Sequence, residues 1–113
     1  MSIRDRPSAV ALKKGMIVSN EPGYYKAGEF GIRLENLVLV VGSGINDSSE
    51  REWLTFETLT LVPFDRSLIE RSLLTAKEID WVNAYHRRIQ EIIFPLVNPD
   101  TQDWLNLITQ PLL

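Results

Sequence analysis

Up to Pro63 the apolar residues fall in short runs rich in β-branched side chains, whereas beyond Thr75 they recur every three or four positions. The two periods predict strands first and helices afterwards. "MIVS", following Gly15, reads as a short strand that Pro22 and Gly23 bring to an end. "GIRLENLVLVV", Gly31 to Val41, reads as a second strand. Alternation puts Ile32, Leu34, Asn36, Val38 and Val40 on one face, and Arg33, Glu35, Leu37, Leu39 and Val41 on the other. After the polar loop "GSGINDSSE" a third strand is predicted over Glu52 to Pro63, closed by Pro63 and Asp65.

Thr75 to Glu78 spells T-x-x-E, a capping box, directly ahead of an apolar stripe at Ile79, Val82, His86, Ile89, Ile93 and Leu96. This predicts an amphipathic helix that Pro95 ends or kinks near Ile93. Asn98 and Pro99 then read as the cap and first position of a shorter helix carrying Trp104, Leu105 and Ile108 and stopping before Pro111. The pattern is α+β. It is read as a single domain over 1–113, with strands at about 15–63 and helices at about 66–110.

Composition narrows the function classes. The chain has 113 residues, 44% of them apolar, which suffices for one core. Twelve basic and fifteen acidic residues give a net charge of -3 with no long block of either sign, so no nucleic-acid or membrane partner is expected. The absence of cysteine removes disulfide scaffolds, thiolate nucleophiles and cysteine-ligated zinc, and suits a cytoplasmic location. The N-terminal "MSIRDRPSAVALKKG" does not read as a secretory signal, and no apolar run approaches the roughly 20 residues a membrane span needs.

Candidate chemistry lies in "NEPGYYKAGEFGIRLENLVLV". If the first two strands form a hairpin about Gly28, Glu21 falls opposite Glu35. Like charges facing each other on a sheet are destabilising, so the pair requires a cation. Two explanations stand at this level. Arg33, on the same face as Glu35, neutralises a glutamate in an ordinary salt bridge, or both carboxylates hold a divalent metal such as manganese, magnesium or zinc.

The motif G-M-x-x-x-x-E-P-G-Y-Y followed by G-I-R-[IL]-E-N closely resembles the C-terminal metal-binding region of the Xaa-Pro aminopeptidases (aminopeptidase P), in the pita-bread family that also holds prolidase and methionine aminopeptidase. The likeness continues through "LTFETLTLVPFD", "SLLTAKEIDWVNAYHRRI" and the closing "WL…TQP". It implies a pita-bread fold, antiparallel strands followed by C-terminal helices. It also implies a hydrolase that removes the N-terminal residue from peptides with proline in second position. Glu21 and Glu35 match two of the family's five ligands to two divalent ions, most often manganese and otherwise zinc or cobalt, which activate a water and polarise the scissile carbonyl. Glu21 matches the glutamate that also handles the proton of that water. Arg33 would orient the ligand carboxylates, and Tyr25 would contact substrate.

The resemblance also sets limits. The remaining family ligands, two aspartates and a histidine, belong upstream of E-P-G; the twenty residues before Glu21 contain no histidine, and their sole aspartate, Asp5, matches no motif. The chain is therefore expected to be the C-terminal portion of such an enzyme, inactive in isolation and not retaining the metal ions. A non-catalytic dimerisation or interaction module derived from the same fold is the alternative. His86 is read as a partly buried helix histidine without catalytic duty, Glu57 as a structural strand residue, and Trp53, Trp81 and Trp104 as core or interface anchors. An exposed strand edge and apolar face are expected to drive homodimer formation or higher self-association.

Overall fold

A computed structural model describes residues 9–113; Asp5 and most of the N-terminal segment lie outside the described residues. The chain forms two compact units, Met1–Thr60 and Leu61–Leu113.

Among the described residues, the regular structure of the first unit is all β. It contains β1 (Ile17–Asn20), β2 (Gly23–Lys26), β3 (Phe30–Arg33), β4 (Asn36–Gly42) and β5 (Leu54–Thr58). Strands β1, β4 and β5 make an antiparallel sheet in the order β1-β4-β5, and β2 pairs with β3 in a separate ribbon. The predicted second strand is thus two strands, broken at Leu34 and Glu35. Pro22 explains the break. Leu34 N–H donates to the Pro22 carbonyl at 3.0 Å, but proline has no N–H to return, so the ladder loses one rung. The third predicted strand is shorter than expected: β5 ends at Thr58, and the loop ahead of it is tied by Trp53, whose indole N–H donates to Asp47 Oδ2 at 2.7 Å.

The hairpin tip is a four-residue turn in which Glu29 N–H donates to the Lys26 carbonyl at 3.0 Å. Gly28 has φ 73° there, at the position where a type II turn needs a positive φ. In β4 the expected alternation holds. Asn36, Val38 and Val40 are buried, while Leu37 on the other face is 47% exposed.

The second unit is helical. Two 3-10 turns, Arg66–Leu68 and Arg71–Leu73, open the region expected to be helical from about residue 66; Asp65 and Glu70 cap them by accepting from the backbone N–H of Ser67 and Ser72. Helix α1 (Ala76–Ile93) begins at the predicted capping box, with both Thr75 and Glu78 bonds in place, and Pro95 sits in a closing 3-10 turn, Phe94–Leu96. Helix α2 (Pro99–Ile108) starts at the Asn98 cap. Tyr85, Ile89 and Leu105 form the core, with Leu61, Phe64, Ile93, Phe94 and Ile108 packed against them. Leu96, placed on the stripe by its spacing, is 75% exposed, because the helix has ended before it. No helix among the described residues is long and apolar enough to cross a membrane.

His86 is 1% exposed. Its Nε2 accepts from Phe64 N–H at 3.0 Å, so the neutral ring carries its proton on Nδ1, which is buried without a partner. Burial first, and the charge of Arg66 second, lower its pKa below 6.5. The unfolded chain therefore takes up this proton before the folded one. The contribution of neutral His86 is complete above about pH 6.5 and is lost as the pH falls through the lower folded value. Urea unfolding followed by helix ellipticity should show the second unit weakening as the pH falls below about 6.5, a window that begins above that of the carboxylates. His86→Gln, which keeps an acceptor but does not titrate, should flatten that slope; an unchanged slope in the variant would locate the effect elsewhere.

Candidate metal centre

The geometry of the carboxylate pair follows from the register. In the β1–β4 ladder Asn20 lies opposite Asn36, and in the β2–β3 ladder Gly23 lies opposite Arg33. Both pairings, and the Leu34 to Pro22 bond between them, belong to one uninterrupted count, so Glu21 stands opposite Glu35 across the missing rung. Even-numbered pairs carry the hydrogen bonds, as Val40 N–H to the Met16 carbonyl at 2.9 Å shows. Odd-numbered pairs are consequently the non-hydrogen-bonded ones, whose side chains stand closer together, with Cβ atoms roughly 4.5–5.5 Å apart. Glu21/Glu35, Gly23/Arg33 and Tyr25/Gly31 are successive pairs of this kind on one face.

Within that row the contacts are specific. Glu21 Oε2 accepts from the Ser19 hydroxyl at 3.1 Å. Arg33 Nε lies 3.7 Å from Glu35 Oε2, with the two side chains 55% and 42% exposed. The Arg33 guanidinium is held above its usual pKa, first by the Tyr25 side chain, then by the carboxylate of Glu35 and more weakly by that of Glu21. Arg33 is therefore the positive group of a cluster that includes both glutamates. Exposed as it is, the Arg33–Glu35 ion pair contributes little to stability; its significance is orientation.

The structure brings together Glu21, Arg33, Glu35 and Tyr25. Tyr25, expected to contact substrate, brings its hydroxyl over Gly23, where the Arg33 stem also lies. Among the described residues no group of three or more histidine, cysteine, aspartate or glutamate side chains could hold a metal ion. Two carboxylates offer hard oxygen donors suited to manganese, magnesium or zinc, but they make an incomplete shell. Glu57 lies in β5 opposite Leu39, and His86 is a core residue of the second unit. Trp53, Trp81 and Trp104 are each about half exposed, so none is a core anchor; Trp81 stacks on Tyr85 with ring centroids 5.3 Å apart. The buried Tyr85, whose hydroxyl donates to the Val62 carbonyl at 2.8 Å, was absent from the expected stripe although its spacing from Val82 and Ile89 fits one.

Comparison with known proteins identifies the family. Residues 52–112 match the model of the C-terminal region of peptidase M24, and residues 2–42 match metallopeptidase family M24. A probable Xaa-Pro aminopeptidase P of Coprinopsis cinerea is 41% identical over 115 residues, covering 99% of this chain and 18% of that protein. Xaa-Pro aminopeptidase 2 of Homo sapiens is 42% identical, covering 91% and 16%. The X-prolyl aminopeptidase of Caenorhabditis elegans, described as a cytosolic enzyme with a di-nuclear active site, superposes with a TM-score of 0.79 at 33% identity, over 89% of this chain and 17% of that one. The chain thus spans less than a fifth of the length of these relatives. Its fold is α+β, the C-terminal part of the pita-bread architecture. By its sequence match over residues 52–112, the chain belongs to the family of the C-terminal region of peptidase M24.

Proposed function

We propose that this chain contributes two carboxylate ligands, Glu21 and Glu35, to the dinuclear metal centre of an Xaa-Pro aminopeptidase, as part of a single catalytic domain. The observation that carries the reading is their opposition on a non-hydrogen-bonded pair, with Arg33 beside them. Like charges so placed are unfavourable unless a cation lies between them, and one guanidinium shared by two carboxylates leaves net negative charge for further cations. Bound divalent ions, manganese in the first place and zinc or cobalt otherwise, would supply Lewis acidity and a water of lowered pKa.

In this reading Glu21 both binds metal and carries the proton of the attacking water, with Ser19 fixing one of its oxygens. Arg33 fixes the direction of Glu35 and is itself held by Tyr25. The substrates are peptides with proline in second position, the location is cytosolic, and the protein assembles as a homodimer. Exposed Trp104 and Leu107 in the helical unit supply apolar surface for that association. The same surface would serve a non-catalytic interaction module, so activity is the deciding property.

A protein carrying this chain together with the upstream aspartate and histidine ligands should cleave an Xaa-Pro peptide, lose that activity to a chelator and regain it with manganese. The 113-residue chain alone should cleave none and bind manganese weakly, because affinity requires a completed shell. Sedimentation velocity on the same preparations reports the dimer. Hydrolysis that survives chelation would refute the metallopeptidase reading, and a monomer at all concentrations would refute the dimer.

A further inference from the structure

The motif around the carboxylates contains two glycines, Gly23 and Gly31, that neither metal binding nor turn formation explains. Neither has a positive φ: among the described residues only Gly15, Gly28 and Gly44 do. Both lie inside strands, where glycine costs stability relative to residues with a side chain. Backbone conformation therefore gives no reason for glycine at either place.

Space does. A Cβ on Gly31 would sit 2.8 Å from Tyr25 Cδ1 and 3.3 Å from Cε1. A Cβ on Gly23 would sit 2.8 Å from the Tyr25 hydroxyl and 3.0 Å from Arg33 Cγ. The Tyr25 ring thus lies flat along the ribbon, its near edge on Gly31 and its hydroxyl above Gly23, where the stem of Arg33 also arrives. An aromatic ring covering a cross-strand glycine is a known way of compensating for the missing side chain. Here the covering ring also ends in a polar atom beside the Arg33 side chain.

We propose that Gly23 and Gly31 are positioning residues: together they form a bare track that lays the Tyr25 ring along the hairpin and delivers its hydroxyl to Arg33, fixing the guanidinium beside Glu35. Tyr25 acts through Arg33 and does not hold substrate. The inference rests on the metal-centre reading for its functional consequence, but the track itself is a property of the hairpin alone.

The test is a double-mutant cycle with a structural and a functional readout. In the full chain, the Arg33 guanidinium N–H resonance that shifts in Tyr25→Phe reports the Tyr25 hydroxyl without any metal. Gly31→Ala should move it to the position seen in Tyr25→Phe. In a Tyr25→Ala background Gly31→Ala should have no further effect, because the added methyl then meets no ring. In a protein that also carries the upstream ligands, Gly31→Ala should weaken manganese affinity about 10- to 100-fold, as loss of a partner to a ligand does. kcat should fall and KM should hold, and Tyr25→Ala should reproduce the effect without adding to it. Should Gly31→Ala leave the Arg33 resonance in place, or add fully to Tyr25→Ala, the track does not exist. A rise in KM alone for Tyr25→Phe would return Tyr25 to a substrate contact. If the resonance moves as expected while neither Gly31→Ala nor Glu35→Ala alters manganese affinity, the track stands and the metal-centre reading falls.

Discussion

Glu35→Gln, in a protein that carries this chain with the upstream ligands, is expected to lower kcat/KM on an Xaa-Pro peptide by roughly a thousand-fold or more and to reduce bound manganese from two ions per chain to one or none. The size follows from what is lost. Lewis-acid stabilisation by a metal ion amounts to several kcal/mol, and each ~1.4 kcal/mol is a factor of ten in rate. The amide keeps the volume of the carboxylate and sits on an exposed side chain, so folding should be untouched. It removes the charge that attracts the cation and breaks the ion pair to Arg33 Nε at 3.7 Å. Metal content by elemental analysis, taken beside the rate, separates the two roles of the residue. Full metal occupancy with full activity in the variant would show that Glu35 is only the partner of Arg33.

Ile89→Ala should have the largest effect on stability. Ile89 is 0% exposed at the centre of the helical unit, between Tyr85 and Leu105. Truncating a fully buried isoleucine costs about 2–5 kcal/mol, from lost apolar burial and from the cavity left behind. That is a large share of the few kcal/mol a small unit commands. Ellipticity at helix wavelengths should therefore melt at least about 10 °C lower, since each kcal/mol shifts a small domain by several degrees. The strand signal of residues before Thr60 should respond less, because Ile89 belongs to the other unit. A melting temperature within a degree or two of the parent would mean that this cluster is not the core of the helical unit.

Much of this was readable from residue order because it depends on short-range rules. The Thr75/Glu78 capping box, the Asn98–Pro99 start and the stop at Pro95 are local stereochemistry, and each appears where the residues put it. The opposition of Glu21 and Glu35 was equally legible, because an antiparallel hairpin with a known turn fixes every pair along it. The predicted single strand from Gly31 to Val41 misses the break between β3 and β4, although its cause is in the sequence: the missing N–H of Pro22 acts on the partner strand at Leu34, twelve positions away. The Tyr25–Arg33 link was hidden for a different reason. Alternation says which face a side chain occupies but not which way along that face it leans. The two glycines become informative only once a ring is seen lying across them. Of the two roles read for Trp53, Trp81 and Trp104, core or interface anchor, half exposure removes the first, because an indole on a small unit can remain half in solvent.

The missing rung at Pro22 also grades the mobility of the hairpin. On one side of it β1 is the edge of a three-stranded sheet; on the other β2 and β3 have only each other, and a two-stranded ribbon is marginal by itself. Amide exchange should accordingly be slow along β4 and fast from Tyr24 to Ile32, with the step falling at the two carboxylates. Glu21 and Glu35 stand at the rigid root, while Tyr25 and Arg33 ride on the part that breathes.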